Sequence, residues 1–174
     1  KALAIGADDA IRIDVTADVD SFSIASEIAA VAKSGGYDMI LLGKETISYN
    51  GSNLGGMLAE LLDLPFVSYA SKLDMAGNTA NIERDIEGGK EVLSVDVPFV
   101  ISCAKGMAEA RIPNMKGIMS AKSKPLNVVA PQGVGSLTSV VKYELPPAKG
   151  ACKMISADHP EELIRLLHEE AKQI

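Results

Sequence analysis

Residues 38–42, Asp-Met-Ile-Leu-Leu, form an apolar run between Gly36 and Gly43. A run this short, bounded by glycine, is the pattern of a strand covered on both faces, and such strands belong to parallel sheets. A parallel strand reaches its neighbour through a crossover, and the preceding sequence supplies one. Phe22, Ala25, Ile28, Ala29 and Ala32 recur at helical spacing, Asp20 or Ser21 stands where an N-cap belongs, and Gly35-Gly36 ends the helix. Before it, residues 11–15 (IRIDV) are short, β-branched and apolar at alternate positions, as in a strand. Strand, helix, strand at this spacing predicts a βαβ unit and an α/β fold: a mostly parallel sheet flanked by helices.

The rhythm then changes. A second helix is expected over 53–62, with Leu54, Met57, Leu58, Leu61 and Leu62 on its inner face and Pro65 beyond its end. Residues 66–75, 79–86 and 91–95 read as strands joined by turns at Gly77-Asn78 and Gly88-Gly89, an antiparallel excursion. Residues 97–103 return as a buried strand, 114–121 as a short helix and 126–129 as a last strand. Two parts are expected: an α/β domain over 1–129 and a C-terminal arm over 130–174. The arm carries Gly133, Gly135, Pro146, Pro147 and Gly150, then an amphipathic helix opened by Pro160. Residues 1–10 read like the tail of a helix running into Gly6, so further chain is expected before Lys1.

Composition removes several function classes. A net charge of −6 lacks the basic face of a nucleic-acid binder. No apolar run approaches the roughly 18 residues of a membrane span. Cys103 and Cys152 belong to no C-x-x-C pair and read as reduced thiols. There is no metal-ligand spacing, nucleophile elbow or H-E-x-x-H, while His159 and His168 sit at a helix start and on a polar helix face. With no acid–base constellation, the chain is expected to bind a ligand and not to transform it.

Two segments remain. The loop after the apolar run, 43–52, leads into Asn53, Leu54, Gly55 and Gly56 at the start of a helix. Ligands of open α/β sheets bind beyond the carboxyl ends of strands, and a helix N-terminus offers N–H groups to a phosphate. Asn50, Ser52 and Asn53 add short polar side chains; on these residues alone a phosphate site and a plain connecting loop stand level. Residues 105–124 combine Met107, Met115 and Met119 with Arg111, Lys116, Lys122 and Lys124. Methionine-rich surface adapts to several partners, but taken alone the pattern fits core methionines and a solvated basic face better.

Residues 82–102, IERDIEGGKEVLSVDVPFVIS, resemble the signature segment of electron transfer flavoprotein beta subunits. The matching positions are Ile82, Arg84, Glu87-Gly88-Gly89, Glu91, Leu93, Pro98, Val100-Ile101 and Ser102. Residues 38–65 resemble the family's nucleotide loop with its helix, and 109–124 its segment with Glu, Arg, Pro-Asn and a later Ile-Met followed by lysines, so the resemblance covers essentially the whole chain. It implies a Rossmann-like fold of the adenine nucleotide alpha hydrolase type. It also implies a heterodimer with an alpha subunit that holds FAD near the interface, and an arm packed on that subunit. The beta subunit itself would hold AMP, or a second FAD in electron-bifurcating members. Such a carrier, not an enzyme, takes electrons from flavin dehydrogenases such as acyl-CoA dehydrogenases.

Carried over residue by residue, the resemblance places nucleotide contacts at Gly43, Asn50, Gly51, Ser52, Asn53, Leu54 and Gly55. It places partner docking at Glu109, Arg111, Met115, Ile118 and Met119, and so reverses the reading of that segment. Its location would be the bacterial cytoplasm, or the mitochondrial matrix in a eukaryote. The loop departs from the family at Ser48-Tyr49-Asn50-Gly51, where many members have acidic residues, and at Asn53-Leu54-Gly55, where they have Gln-Thr-Gly or Gln-Val-Gly. Backbone N–H contacts survive both changes. Two rivals fit parts of the pattern: a stand-alone adenine-nucleotide-binding regulatory protein of universal-stress type, and an enzyme that activates its substrate by adenylation.

Overall fold

The computed structural model describes residues 1–15 and 19–174. In chain order the elements are α1 (Ala2–Ile5), β1 (Ala10–Ile13), α2 (Ser21–Gly35), β2 (Met39–Gly43), α3 (Leu54–Leu62) and β3 (Phe66–Ala76). There follow β4 (Thr79–Ile86), β5 (Gly89–Asp96), β6 (Phe99–Cys103), α4 (Met115–Ala121), β7 (Leu126–Val129) and α5 (Pro160–Glu169). These fall into two units, Lys1–Ser139 and Val140–Ile174.

Local signals set the helices of the first unit. Asp20 caps α2 by accepting from the Ser23 N–H at 2.9 Å, and Gly36 ends it in the left-handed region at φ 61°. Asp63 performs the same turn for α3 at φ 55°, and Pro65 then carries the chain into β3.

The main sheet has the order β2-β6-β3-β4-β5. β2, β6 and the first part of β3 run parallel; β3, β4 and β5 form the antiparallel excursion. Helices flank this mixed sheet. Phe99 and Ile101 of β6 pack with Val67, Ala70, Ala80 and Ile82 on one side. On the other, Ala25 and Ala29 of α2 and Leu58 of α3 enclose Ile40 and Leu42. β6, between two parallel neighbours, is the strand with both faces covered, and Phe99, Val100 and Ile101 are fully buried.

Two expectations change. β2 lies at the edge of this sheet, and Leu41 is 53% exposed, so the run at 38–42 is parallel but not covered on both faces. The strand that wins full cover is β6, which the chain inserts between β2 and β3. Nor do β1 and β2 share a sheet. β1 pairs in parallel with β7, from Ala10↔Leu126 to Ile13↔Val129, so β1-α2-β2 does not close as a βαβ unit. Spacing predicts a crossover; which strands then pair is settled by contacts more than a hundred residues apart.

In the second unit α5 has Pro160 in its first turn with Glu161 and Glu162, acids placed favourably at a helix start. Arg165 donates to Glu169 one turn on, at 2.7 Å.

Candidate functional site

Gly43 of β2 pairs with Cys103 of β6, and Cys103 pairs with Ala70 of β3. The parallel pairing of the three strands therefore ends level, which is where an open α/β sheet forms its ligand crevice. The loop leaving β2 is closed by Thr46. The Thr46 N–H donates to the Gly51 carbonyl at 2.9 Å, the Asn50 N–H to the Thr46 carbonyl at 3.0 Å, and the Gly51 N–H to Thr46 Oγ1 at 3.0 Å. Asn50 takes the left-handed conformation at φ 53°, which asparagine tolerates better than most residues. Gly51 passes so close to the Tyr49 ring that a Cβ there would lie 2.2 Å from it. Sequence reasoning missed Thr46; its only signal was a hydroxyl five residues before a glycine.

Ser52 and Asn53 then bring the chain to α3. Asn53 is helical at φ −83°, ψ −19°, and its side chain makes no capping hydrogen bond. The first-turn N–H groups of Leu54, Gly55 and Gly56 thus have no side-chain cap, and the dipole end they form lies in the loop that follows β2. The two glycines differ. A Cβ on Gly55 would stand 2.7 Å from Phe66 Cε2 and 3.3 Å from Leu42 Cδ1, so its bareness serves close packing of α3 on β2 and β3. A Cβ on Gly56 would meet Phe66 only at 3.9 Å.

Across the same sheet end β3 carries a bulge, where its register against β6 shifts between Val67 and Ala70. Within it Tyr69 holds φ 58°, and its N–H donates to Oγ of the buried Ser102 at 2.9 Å. The Lys44 ammonium lies 5.7 Å from the centroid of the Tyr69 ring and 3.0 Å from the Glu45 carboxylate. Burial pushes the neighbouring Cys103 thiol up, with a backbone hydrogen bond at Leu42 pulling weakly the other way. It is therefore a neutral thiol at neutral pH and a poor nucleophile.

The basic, methionine-rich segment divides. Met107 packs against the sheet core, whereas Met115 and Met119 are 74% and 68% exposed, with Ile118 half-exposed between them on α4. Two of the three methionines are therefore surface residues, against the core reading their pattern suggested. Asn114 caps α4 by accepting from the Gly117 N–H at 2.8 Å. The back of α4 is pinned to α1: a Cβ on Gly117 would lie 2.2 Å from the Ala4 carbonyl oxygen, and Lys124 Nζ donates to the carbonyls of Leu3 and Ala7. Glu109 and Arg111 are exposed in the strand-free stretch before α4, and Arg111 reaches back beside Gly6.

A third cluster was not foreseen. The Glu27 carboxylate on α2 accepts from the N–H groups of Gln132, Gly133 and Val134 at 2.7, 2.9 and 3.3 Å. Asp20, beyond capping α2, accepts from the Leu137 and Thr138 N–H groups and the Thr138 hydroxyl. Ser23 Oγ donates to the Val134 carbonyl at 2.7 Å. Hydrogen bonds to the charged form hold both carboxyls below their ordinary range, led by Gln132 for Glu27 and Ser23 for Asp20, with burial opposing.

Among the described residues no group of three His, Cys, Asp or Glu could hold a metal ion, and no helix is long and apolar enough to cross a membrane.

Comparison with known proteins follows the same lines. Residues 1–133 match the family described as "Electron transfer flavoprotein domain". The chain is similar to "Electron transfer flavoprotein subunit beta" of Bacillus subtilis (strain 168), at 34% identity over 187 residues, 99% of this chain and 72% of that one. Subunit beta of Syntrophomonas wolfei is 36% identical over 160 residues, covering 92% and 63%. Subunit beta of Homo sapiens is 32% identical over 176 residues, covering 97% and 68%. The chain thus spans roughly two thirds of the length of these relatives.

Proposed function

The chain belongs to the electron transfer flavoprotein family, among its beta subunits, and from that premise we propose that it is the non-catalytic half of a heterodimer: it binds an adenine nucleotide and docks the electron donor, while an alpha subunit holds the FAD. The observation that carries the nucleotide is the start of α3, which no side chain caps, at the carboxyl end of β2.

The residues present fit a phosphate. First-turn N–H groups of Leu54, Gly55 and Gly56 supply donors and a positive dipole end. The Thr46-closed turn sets the path of Asn50 and Gly51, and Ser52 and Asn53 add polar side chains beside them. Gly43 ends β2 with nothing within 4 Å of where a Cβ would be, leaving its backbone approachable. Such a site grips by backbone, so it tolerates the loss of the acidic and hydroxyl side chains that many relatives carry. AMP fits it, and a second FAD would present the same phosphate chemistry.

FAD on the partner supplies the electron chemistry; this chain's residues bind and orient. Glu109, Arg111, Met115, Ile118 and Met119 form the docking surface for flavin dehydrogenases such as acyl-CoA dehydrogenases. Its support is the exposure of Met115 and Met119 on a helix whose back is anchored to α1. Residues 130–174 are the arm for the alpha subunit, its start at 132–138 being tied to α2 of this chain. The complex would work in a bacterial cytoplasm or a mitochondrial matrix.

Co-expression of the full-length chain with a candidate alpha subunit tests this. A yellow one-to-one complex that releases an adenine nucleotide on denaturation, identified by mass spectrometry, is expected. A colourless homodimer that releases none overturns the proposal.

A further inference from the structure

We infer that Tyr69 is a positioning residue for the nucleotide loop, its ring holding the Lys44 ammonium at the carboxyl end of the sheet, where that charge serves the phosphate of a bound adenylate. The inference rests on the nucleotide reading proposed above and names a part of that site which the sequence did not indicate.

The first observation is backbone geometry. Tyr69 sits at φ 58°, in the left-handed region that a bulky L-residue avoids. Such strain persists only where the surroundings impose it, and it gathers at binding sites. Here the surroundings are identifiable. The Tyr69 N–H has left the β3–β6 ladder for Ser102 Oγ, a buried acceptor at 2.9 Å, and the register shift between Val67 and Ala70 accommodates the turn. A bulge of this kind re-aims a side chain where the ladder is interrupted.

The second observation is what the side chain meets. The side chain is not part of the core, and Tyr69 remains 38% exposed. Its ring lies beneath the Lys44 ammonium, 5.7 Å from ring centroid to nitrogen, within the range of cation–π attraction. Lys44 is the first residue after Gly43, so the cation and the Thr46-closed turn leave the same strand end. Lys44 also pairs with Glu45, its sequence neighbour, at 3.0 Å. With Glu45 alone the ammonium has one short, solvated tether; the ring gives it a second anchor from across the sheet. A lysine held at two points loses less freedom when it meets an anion, which is how preorganisation adds affinity.

The test is AMP binding by the full-length chain in complex with its alpha subunit, followed by calorimetry. Tyr69→Gly removes the ring, and glycine accepts the left-handed backbone without strain, so the variant still folds, which its melting transition checks. Its AMP affinity is expected to fall about threefold to fivefold, the scale of an exposed cation–π contact. Tyr69→Phe keeps the ring and binds like the parent. Lys44→Met weakens binding, and Tyr69→Gly added to it weakens binding no further, because the ring acts through Lys44. Unchanged affinity in Tyr69→Gly, or losses that multiply in the double variant, overturns the inference. A parent complex that binds no AMP overturns the nucleotide reading itself, and this inference with it.

Discussion

At the scale of single residues, neighbouring positions carry opposite constraints. Gly55→Ala drives a methyl into the edge of Phe66, where a Cβ would stand at 2.7 Å, and overpacking of this kind costs about 1–3 kcal/mol. Gly56→Ala meets Phe66 only at 3.9 Å and exchanges glycine for the best helix former, a gain of up to about 1 kcal/mol. Urea unfolding of the two variants should therefore move in opposite directions; a shared sign would refute this account of α3. Titration makes a second prediction. Asp20 and Glu27 sit below their ordinary values of 3.8 and 4.5, so the folded chain binds fewer protons than the unfolded one. Their contribution is complete above those values and is lost as pH falls through the lowered ones. Among the described residues, the groups around them leave this sign unopposed. The segment 132–138 brings no ionisable side chain, Glu60 of α3 is exposed, and neither carboxylate joins an ion pair among the described residues. Asp20→Asn with Glu27→Gln should flatten the loss of melting temperature below about pH 4; an acid limb as steep as the parent's would show that other groups cause it.

At the scale of elements, α2 does more than flank the sheet. Through Asp20, Ser23 and Glu27 it holds residues 132–138, which the sequence reading had placed in a C-terminal arm beginning at 130 and packing on a partner subunit. Backbone N–H groups of Gln132, Gly133 and Val134 close around one carboxylate, an anion nest filled by the chain itself. Glu27→Gln, nearly the same shape without the charge, should speed hydrogen exchange at those amides while leaving exchange in α2 unchanged. Equal protection in parent and variant would mean that the charge is not what holds the segment. α4 carries the other element-level expectation. Its exposed Met115 can take a charge without cost to the fold, because α4 is held from behind by Gly117 against Ala4. Met115→Asp should slow dehydrogenase-coupled reduction while the FAD content of the heterodimer stays that of the parent. Unimpaired coupling would remove α4 from the docking surface.

At the scale of the whole molecule, membership of the electron transfer flavoprotein family implies a companion alpha subunit. Val141, Tyr143 and Leu145 of the second unit and Ile112, Met115 and Met119 of the first are all well exposed. The melting temperature of the full-length chain should accordingly rise with the concentration of added alpha subunit, as mass action requires; a midpoint indifferent to it would count against assembly. Much of this molecule was legible in its residues. The helices, the three strands of the excursion and the α/β class follow from periodicities of two and 3.6 residues and from glycine, proline and asparagine at the turns, all of them local chemistry. The segment 82–102 carried the family, and the loop 43–55 carried the place of the candidate site, because a strand end followed by a helix start is written in adjacent residues. Pairing and burial were not legible in the same way. That β1 joins β7, that β6 enters between β2 and β3, that Glu27 meets Gln132 and that Tyr69 turns under Lys44 depend on residues far apart in the chain. Hydrophobic pattern says that a face must be covered but not by what, since burial is non-directional and many partners satisfy it. Only the folded arrangement, where each buried polar group also finds its own hydrogen bond, selects one of them.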